Sequence, residues 1–120
     1  MIRVVIADDH PAVRMSFEAY LGAQDGIQVV GSGQNGAEAV ALARSHEPDV
    51  IVMDVRMPVI DGIEATRQIK RLVPETRIIL VSAHEETELQ DSGRQAGADR
   101  YVFKGITGVG LADCVRAVSE

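Results

Sequence analysis

The chain has 120 residues, 46% of them hydrophobic and 25% charged, with a net charge of −6, which suits one globular domain and is too short for two. The acidic balance argues against this unit gripping nucleic acid by itself, because affinity for the phosphate backbone comes from clustered Lys and Arg. No apolar run approaches the roughly 20 residues of a membrane span, and the start of the chain lacks the apolar region and cleavage site of a signal peptide. The lone Cys114 rules out an internal disulfide and fits a reducing cytoplasm.

Ile2 to Ala7 is apolar and β-branched, a strand that ends in Asp8-Asp9-His10. Pro11 suits a first helical position, with Asp9 placed to cap, and Val13, Phe17, Tyr20 and Leu21 form one apolar stripe that Gly22 stops. Ile27 to Val30 is a shorter strand followed by Gly31. Asn35 and Glu38 stand at capping spacing for a helix over 37–45, and Pro48 closes that region. Val50 to Met53 is an unbroken apolar run that enters Asp54, the pattern of a strand buried on both faces.

Asp61 and Glu64 repeat the capping spacing and open a helix to about Leu72, broken by Pro74. Arg77 to Val81 is a fourth strand, ending in Ser82. A helix over 85–96 has a thin apolar stripe, Leu89 and Ala96, with Gly93 inside. Arg100 to Phe103 is a fifth strand ending in Lys104, and a weakly capped helix over 111–118 closes the chain, with Cys114 packed inside it. Five strand–helix alternations joined by short connections imply a parallel sheet with helices on both faces. The chain reads as one domain over residues 1–120, either stand-alone or the N-terminal piece of a longer protein.

In such a sheet the C-terminal strand ends share one edge, where open α/β folds bind ligands. Asp8, Asp9, Asp54, Ser82 and Lys104 therefore converge. Three neighbouring carboxylates repel one another unless a hard cation sits among them, and a few oxygen ligands suit Mg²⁺. Lys104 offers a point charge and Ser82 a compact donor for a phosphoryl group. The set suits phosphoryl transfer to a carboxylate, with Asp54 as the central nucleophile and Asp8 and Asp9 as metal holders.

Ile6-Ala-Asp-Asp-His-Pro11, Val52-Met-Asp-Val-Arg-Met-Pro58, Asp61-Gly62, Val81-Ser-Ala83 and Tyr101-Val-Phe-Lys104, in this order and spacing, resemble the receiver domain of two-component response regulators over nearly the whole chain. The wording most resembles receivers fused to a helix-turn-helix DNA-binding domain of the LuxR/NarL type. The resemblance implies a flavodoxin-like fold: a five-stranded parallel sheet of order 2-1-3-4-5 with five helices. It implies Asp54 as phosphoacceptor, Asp9 as a direct Mg²⁺ ligand, Asp8 as a ligand through water, and the main-chain carbonyl of Arg56 as a further ligand. Ser82 and Lys104 would grip the phosphoryl group, and Tyr101 would be the switch aromatic. A sensor histidine kinase would be the donor, the domain would catalyse its own phosphorylation and dephosphorylation, and homodimerisation could follow. Output would be transcription through a DNA-binding domain absent from these 120 residues; a single-domain receiver acting by protein contacts is the alternative.

Two departures stand out. Gly105 replaces the proline that many receivers hold in a cis peptide, and a trans bond is expected because cis costs a non-proline residue about 3 kcal/mol. Glycines at 93, 105, 108 and 110 suggest a loose C-terminal third.

Gly31-Ser-Gly-Gln-Asn-Gly36 is also a GxGxxG after a strand, the kernel of a dinucleotide site. It follows the second strand, however, and leaves Asp8, Asp9, Ser82 and Lys104 without roles. A carboxylate-nucleophile phosphatase would want Asp where Arg56 stands. Arg56 and His84 are expected to border the phosphoryl pocket and tune hydrolysis. His10 reads as a turn residue, His46 as a helix end, and Met53 and Met57 as packing.

Overall fold

The computed structural model describes residues 1–83, 87–106 and 108–120. Strands and helices alternate throughout: β1 (Ile2–Ala7), α1 (Pro11–Gly22), β2 (Ile27–Gly33), α2 (Gly36–His46), β3 (Val50–Asp54), α3 (Gly62–Leu72), β4 (Arg77–Ser82), α4 (Thr87–Ala96), β5 (Arg100–Phe103) and α5 (Gly108–Ser119). All pairings are parallel and the order is β2-β1-β3-β4-β5, the flavodoxin-like arrangement expected.

The unbroken apolar run of β3 is explained by its place in the middle. Val50 and Val52 pack with Val4, Ile6, Ile79 and Val81 beneath Leu21 of α1 and Leu111 and Val115 of α5. Ile51 and Met53 face the other way, with Val5, Ala7, Ile78 and Leu80, beneath Ala39 and Ala43 of α2, Ile69 of α3 and Ala96 of α4. Both faces are covered, so every position of β3 is buried. No helix among the described residues is long and apolar enough to cross a membrane.

Two caps stand as expected. Asn35 Oδ1 accepts the Glu38 N–H at 2.8 Å, and the Glu38 carboxylate reaches back to the Gln34 N–H at 2.9 Å. Asp61 Oδ1 accepts the Glu64 N–H at 2.8 Å. The start of α1 differs: its N-cap is His10, without a side-chain cap bond, rather than Asp9. Asp8 Oδ1 takes the His10 N–H at 2.9 Å, so the turn is closed one residue before the expected cap.

Strand β2 runs to Gly33, three residues past Val30, because pairing with β1 resumes after a register shift at Val4/Val5. Two glycines of the apparent dinucleotide motif thus lie inside a strand. The third, Gly36, backs onto Ile60, whose carbonyl oxygen a Cβ would overlap. Helix α5 begins at Gly108, earlier than Leu111. Its first turn presses on α1, where a Cβ at Gly108 would stand 2.6 Å from the Tyr20 ring, and a Cβ at Gly93 would stand 2.9 Å from Leu80 Cδ1. Those two glycines mark close packing rather than looseness; Gly105 fits the looser reading, with nothing within 4 Å. No cis peptide bond occurs among the described residues, as expected at Gly105. The expected helix start at Glu85, and His84, lie outside the described residues.

Candidate functional site

The sheet register builds the site. β1 and β3 pair from Val4↔Val50 to Ala7↔Met53, so the next step along both strands brings Asp8 beside Asp54. β3 pairs with β4 up to Asp54↔Val81, and β4 with β5 up to Ser82↔Phe103. Lys104 follows directly, its N–H donating to the Ser82 carbonyl at 2.8 Å. Behind the Asp54 side chain, the Gly62 N–H donates to the Val55 carbonyl at 2.7 Å, and a Cβ on Gly62 would overlap the Asp54 carbonyl oxygen. Only glycine lets α3 start this close to the end of β3.

Asp54 is buried, 4% exposed, and Lys104 Nζ donates to its Oδ2 at 3.1 Å. The Arg56 N–H points to Oδ1 at 3.4 Å, a long bond. Lys104 Nζ also stands 3.3 Å from Asp8 Oδ2, and Asp8 is as buried as Asp54. Burial raises the Asp54 carboxyl above the ordinary carboxylate range, and the Asp8 charge pushes the same way; Lys104 and the Arg56 N–H offset only part of this. Burial alone would lower the Lys104 ammonium, yet the bonds and charges of Asp54 and Asp8 outweigh it and hold Lys104 above its usual value.

Asp8, Asp9, His10 and Asp54 each place one ligand atom within 4.8 Å of the others. Asp8 Oδ2 and Asp9 Oδ1 are buried and accept no hydrogen bond among the described residues. Buried carboxylates this close are costly unless cations offset their charge, and Lys104 alone stands against three of them. The donor set therefore fits a small divalent ion, and Mg²⁺ suits the carboxylates. An ion placed here would lie beside Asp54.

Ser82 is buried at the end of β4. Arg56 is exposed beside the acidic cluster, sharing with Asp9, Met57, Pro58, Asp61 and Leu89 the wall of a shallow hollow. Tyr101 lies on β5, half-buried against Gly93, with its ring set edge-on to Phe103 at 6.5 Å. Its hydroxyl is buried without a hydrogen-bond partner among the described residues. Met53 and Met57 pack as expected, Cys114 is buried in α5, and His46 ends α2.

His10 is the residue that sequence reasoning undervalued. Its Nδ1 stands 3.2 Å from Asp8 Oδ1, 3.1 Å from Asp9 Oδ1, 3.9 Å from Asp54 Oδ2 and 3.3 Å from Lys104 Nζ. The available signal was its place between Asp9 and Pro11: a helix starting there turns the preceding side chain over the strand ends.

Known proteins share this sequence pattern and this fold. The sequence model of the response regulator receiver domain matches residues 4–116. The response regulator protein VraR of Staphylococcus aureus is 39% identical over 119 residues, which cover 99% of this chain and 57% of VraR. The chain thus spans a little over half the length of the curated relatives it matches. Among solved structures, the signal receiver domain of NarL from Mycobacterium tuberculosis superposes with a TM-score of 0.95 at 33% identity, covering 98% of this chain and 95% of that one. A LuxR-family two-component response regulator from Aurantimonas sp. SI85-9A1 gives 0.92 at 32% identity, covering 98% and 84%.

Proposed function

Because this chain belongs to the response regulator receiver domain family, a family of phosphorelay signalling, we propose that Asp54 is its phosphoacceptor and that Asp8, Asp9, Ser82 and Lys104 serve the transfer. The observation that carries this reading is the Lys104 ammonium 3.1 Å from Asp54 Oδ2, with the orphaned oxygens of Asp8 and Asp9 alongside. An isolated buried carboxylate would pair with the lysine and stop there. Here the lysine is shared between two carboxylates, and a third stands close by.

An Asp54 oxygen attacks phosphorus in line with the leaving group of the donor. The new P–O bond forms as the bond to the departing imidazole of a kinase phosphohistidine, or to acetate from acetyl phosphate, breaks. Lys104 can leave Asp54 for a phosphoryl oxygen without losing charge compensation, and the Ser82 hydroxyl donates to another oxygen. Mg²⁺, held by Asp8, Asp9, Asp54 and the Arg56 carbonyl, would neutralise charge on the transferring group. Water attack on the acyl phosphate returns phosphate and free Asp54, with the exposed Arg56 side chain at the edge of that path. His84, the other residue expected to tune hydrolysis, lies outside the described residues.

Once phosphorylated, Asp54 draws Ser82 inward, and Tyr101 takes the vacated space. Tyr101 is suited to this because it is half-buried on β5 beside Gly93, and its hydroxyl has no hydrogen-bond partner among the described residues. The donor would be a sensor histidine kinase, and the setting the cytoplasm. The likeness to VraR, NarL and a LuxR-family regulator supports residues 1–120 as the receiver unit of a transcriptional regulator, with DNA read by a further domain and dimerisation following phosphorylation. A single-domain receiver acting through protein contacts is the second reading.

The test is intact-mass measurement after incubation with acetyl phosphate and Mg²⁺. One added phosphate, labile to hydroxylamine, is expected in the wild type and none in Asp54→Asn. Equal labelling of both would remove Asp54 from the role.

A further inference from the structure

We propose that the hollow between α4 and the start of β5, lined by Gln90, Arg94, Ala98, Asp99, Arg100 and Tyr101, binds a small phosphomonoester, and that the bound molecule holds Tyr101 in its present place. The binding itself is independent of Asp54 as phosphoacceptor. The restraint on Tyr101 rests on that reading and gives the switch a second input.

The hollow has a volume of about 300 Å³, at the lower end of the roughly 300–1,000 Å³ of small-molecule sites. Gln90 and Arg94 stand one turn apart on α4 and so share a face, while Arg100 and Tyr101 supply the other wall from β5. The turn that joins the walls is fixed by its backbone. Gly97 takes a φ of +110°, and the N–H groups of Gly97 and Ala98 close onto the carbonyls of Arg94 and Gly93, each at 3.0 Å. Carbonyls at the end of α4 that would repel an anion are thereby spent.

The polar groups of the hollow are donors in excess. Its one carboxylate, Asp99, is committed elsewhere: Oδ2 accepts Lys70 Nζ at 3.0 Å and the Ile78 N–H at 2.8 Å, and Oδ1 stands 3.6 Å from Arg77. Arg100 donates to the Cys114 sulfur at 3.7 Å and has no carboxylate partner among the described residues. Arg94 has Asp91 at 3.4 Å, but both side chains are more than half exposed, and a pair of this kind is worth little. Tyr101 adds a buried hydroxyl with no partner among the described residues. Two guanidiniums, an amide and a phenol thus border one hollow without an uncommitted carboxylate.

That chemistry selects the ligand. A guanidinium grips a phosphate through two parallel N–H bonds, which a halide cannot offer. A bare phosphate fills only part of the hollow, so an ester places its organic part against Ala98 and the ring of Tyr101. Bridging Arg94 on α4 to Arg100 on β5 ties the helix to the strand beside Tyr101. Phosphorylation that moves α4 and Tyr101 then weakens the ligand, and the ligand opposes the movement by the same factor.

The experiment is amide and arginine side-chain NMR of the wild type, Arg94→Gln and Arg100→Gln in magnesium-free buffer. Each is titrated with glycerol 3-phosphate, with inorganic phosphate and, at matched ionic strength, with sodium chloride. Glycerol 3-phosphate should saturate at about millimolar concentration or below, with shifts centred on Gln90, Arg94 and residues 98–101. Each variant should bind it roughly tenfold more weakly while melting like the wild type. Inorganic phosphate should bind the same residues more weakly; equal affinity would overturn the ester. Shifts that sodium chloride reproduces, that survive both substitutions, or that centre on Asp54 and Lys104 would overturn the site. A second arm adds beryllofluoride and Mg²⁺, after which glycerol 3-phosphate should bind more weakly; equal affinity would overturn the restraint on Tyr101. Beryllofluoride that leaves Tyr101 unmoved in the absence of ligand would remove the switch reading and the restraint with it, while the magnesium-free titration still decides the site.

Discussion

Lys104 Nζ donates to Asp54 Oδ2 at 3.1 Å across fifty residues of sequence, and the same ammonium stands 3.3 Å from Asp8 Oδ2. One cation thus serves two buried anions. Lys104→Met should leave both carboxylates without compensation and cost about 1–3 kcal/mol at pH 7 in magnesium-free buffer. The loss should shrink as the buffer is acidified and the carboxylates protonate. Urea unfolding at pH 7 and pH 4 checks both halves, and acetyl phosphate labelling of the variant should be much slower.

The Asp54 carboxyl is raised by burial first and Asp8 second, so its folded pKa lies above its unfolded one. The stability it contributes is full below the ordinary carboxylate value and is lost as pH rises through the raised folded value. Without Mg²⁺, Asp54→Asn should therefore be at least as stable as the wild type at pH 7, and the gap should close as pH falls through that window. Lys104 is raised too, so its contribution persists up to its ordinary value and fades as pH climbs through the higher folded one. Melting temperature against pH for both proteins gives the readout.

Mg²⁺ relieves the same repulsion and should raise the melting temperature of the wild type by mass action. Asp9→Ala should respond much less. Matching rises in the two proteins would place the ion somewhere other than beside Asp9.

Val59 has a φ of +74° and is 75% exposed, in the loop between β3 and α3. A β-branched residue rarely adopts this conformation, and a side chain this exposed gains little from burial in return. Val59→Gly should stabilise the protein by about 0.5–1 kcal/mol, the relief of strain exceeding the added entropy of the unfolded chain. Val59→Ala should fall between the two in chemical denaturation.

Gly93 packs where a Cβ would stand 2.9 Å from Leu80 Cδ1 and 3.4 Å from the Tyr101 ring. Alanine there would gain about 1 kcal/mol in helix propensity and lose more by overpacking, so a net loss of about 1–2 kcal/mol is expected. The same contact ties α4 to Tyr101, the proposed switch aromatic. Beryllofluoride, as a phosphate mimic, should perturb amides from Thr87 to Phe103 well beyond the pocket, while α2 stays nearly unchanged. NMR shift mapping decides it, and in Gly93→Ala the changes at Tyr101 should be altered.

What the sequence by itself determined is local and periodic. The apolar runs before Asp8, Asp54, Ser82 and Lys104, and the Asx caps at Asn35 and Asp61, follow from backbone hydrogen bonding and burial within a few residues. Parallel connectivity then sent every strand end to one edge, so Asp8, Asp54, Ser82 and Lys104 were legible as a site before any coordinates. Distances between elements were not. That Gly36, Gly93 and Gly108 are contact points rather than loose or ligand-binding glycines depends on Ile60, Leu80 and Tyr20, which stand far from them in sequence or on another element. The direction of the His10 ring depends on which of two adjacent aspartates closes the turn, and a difference of one residue there turned an apparent turn residue into a wall of the site. Packing between elements decided these points, because side-chain volume and hydrogen-bond competition act across space, where sequence periodicity carries no record of them.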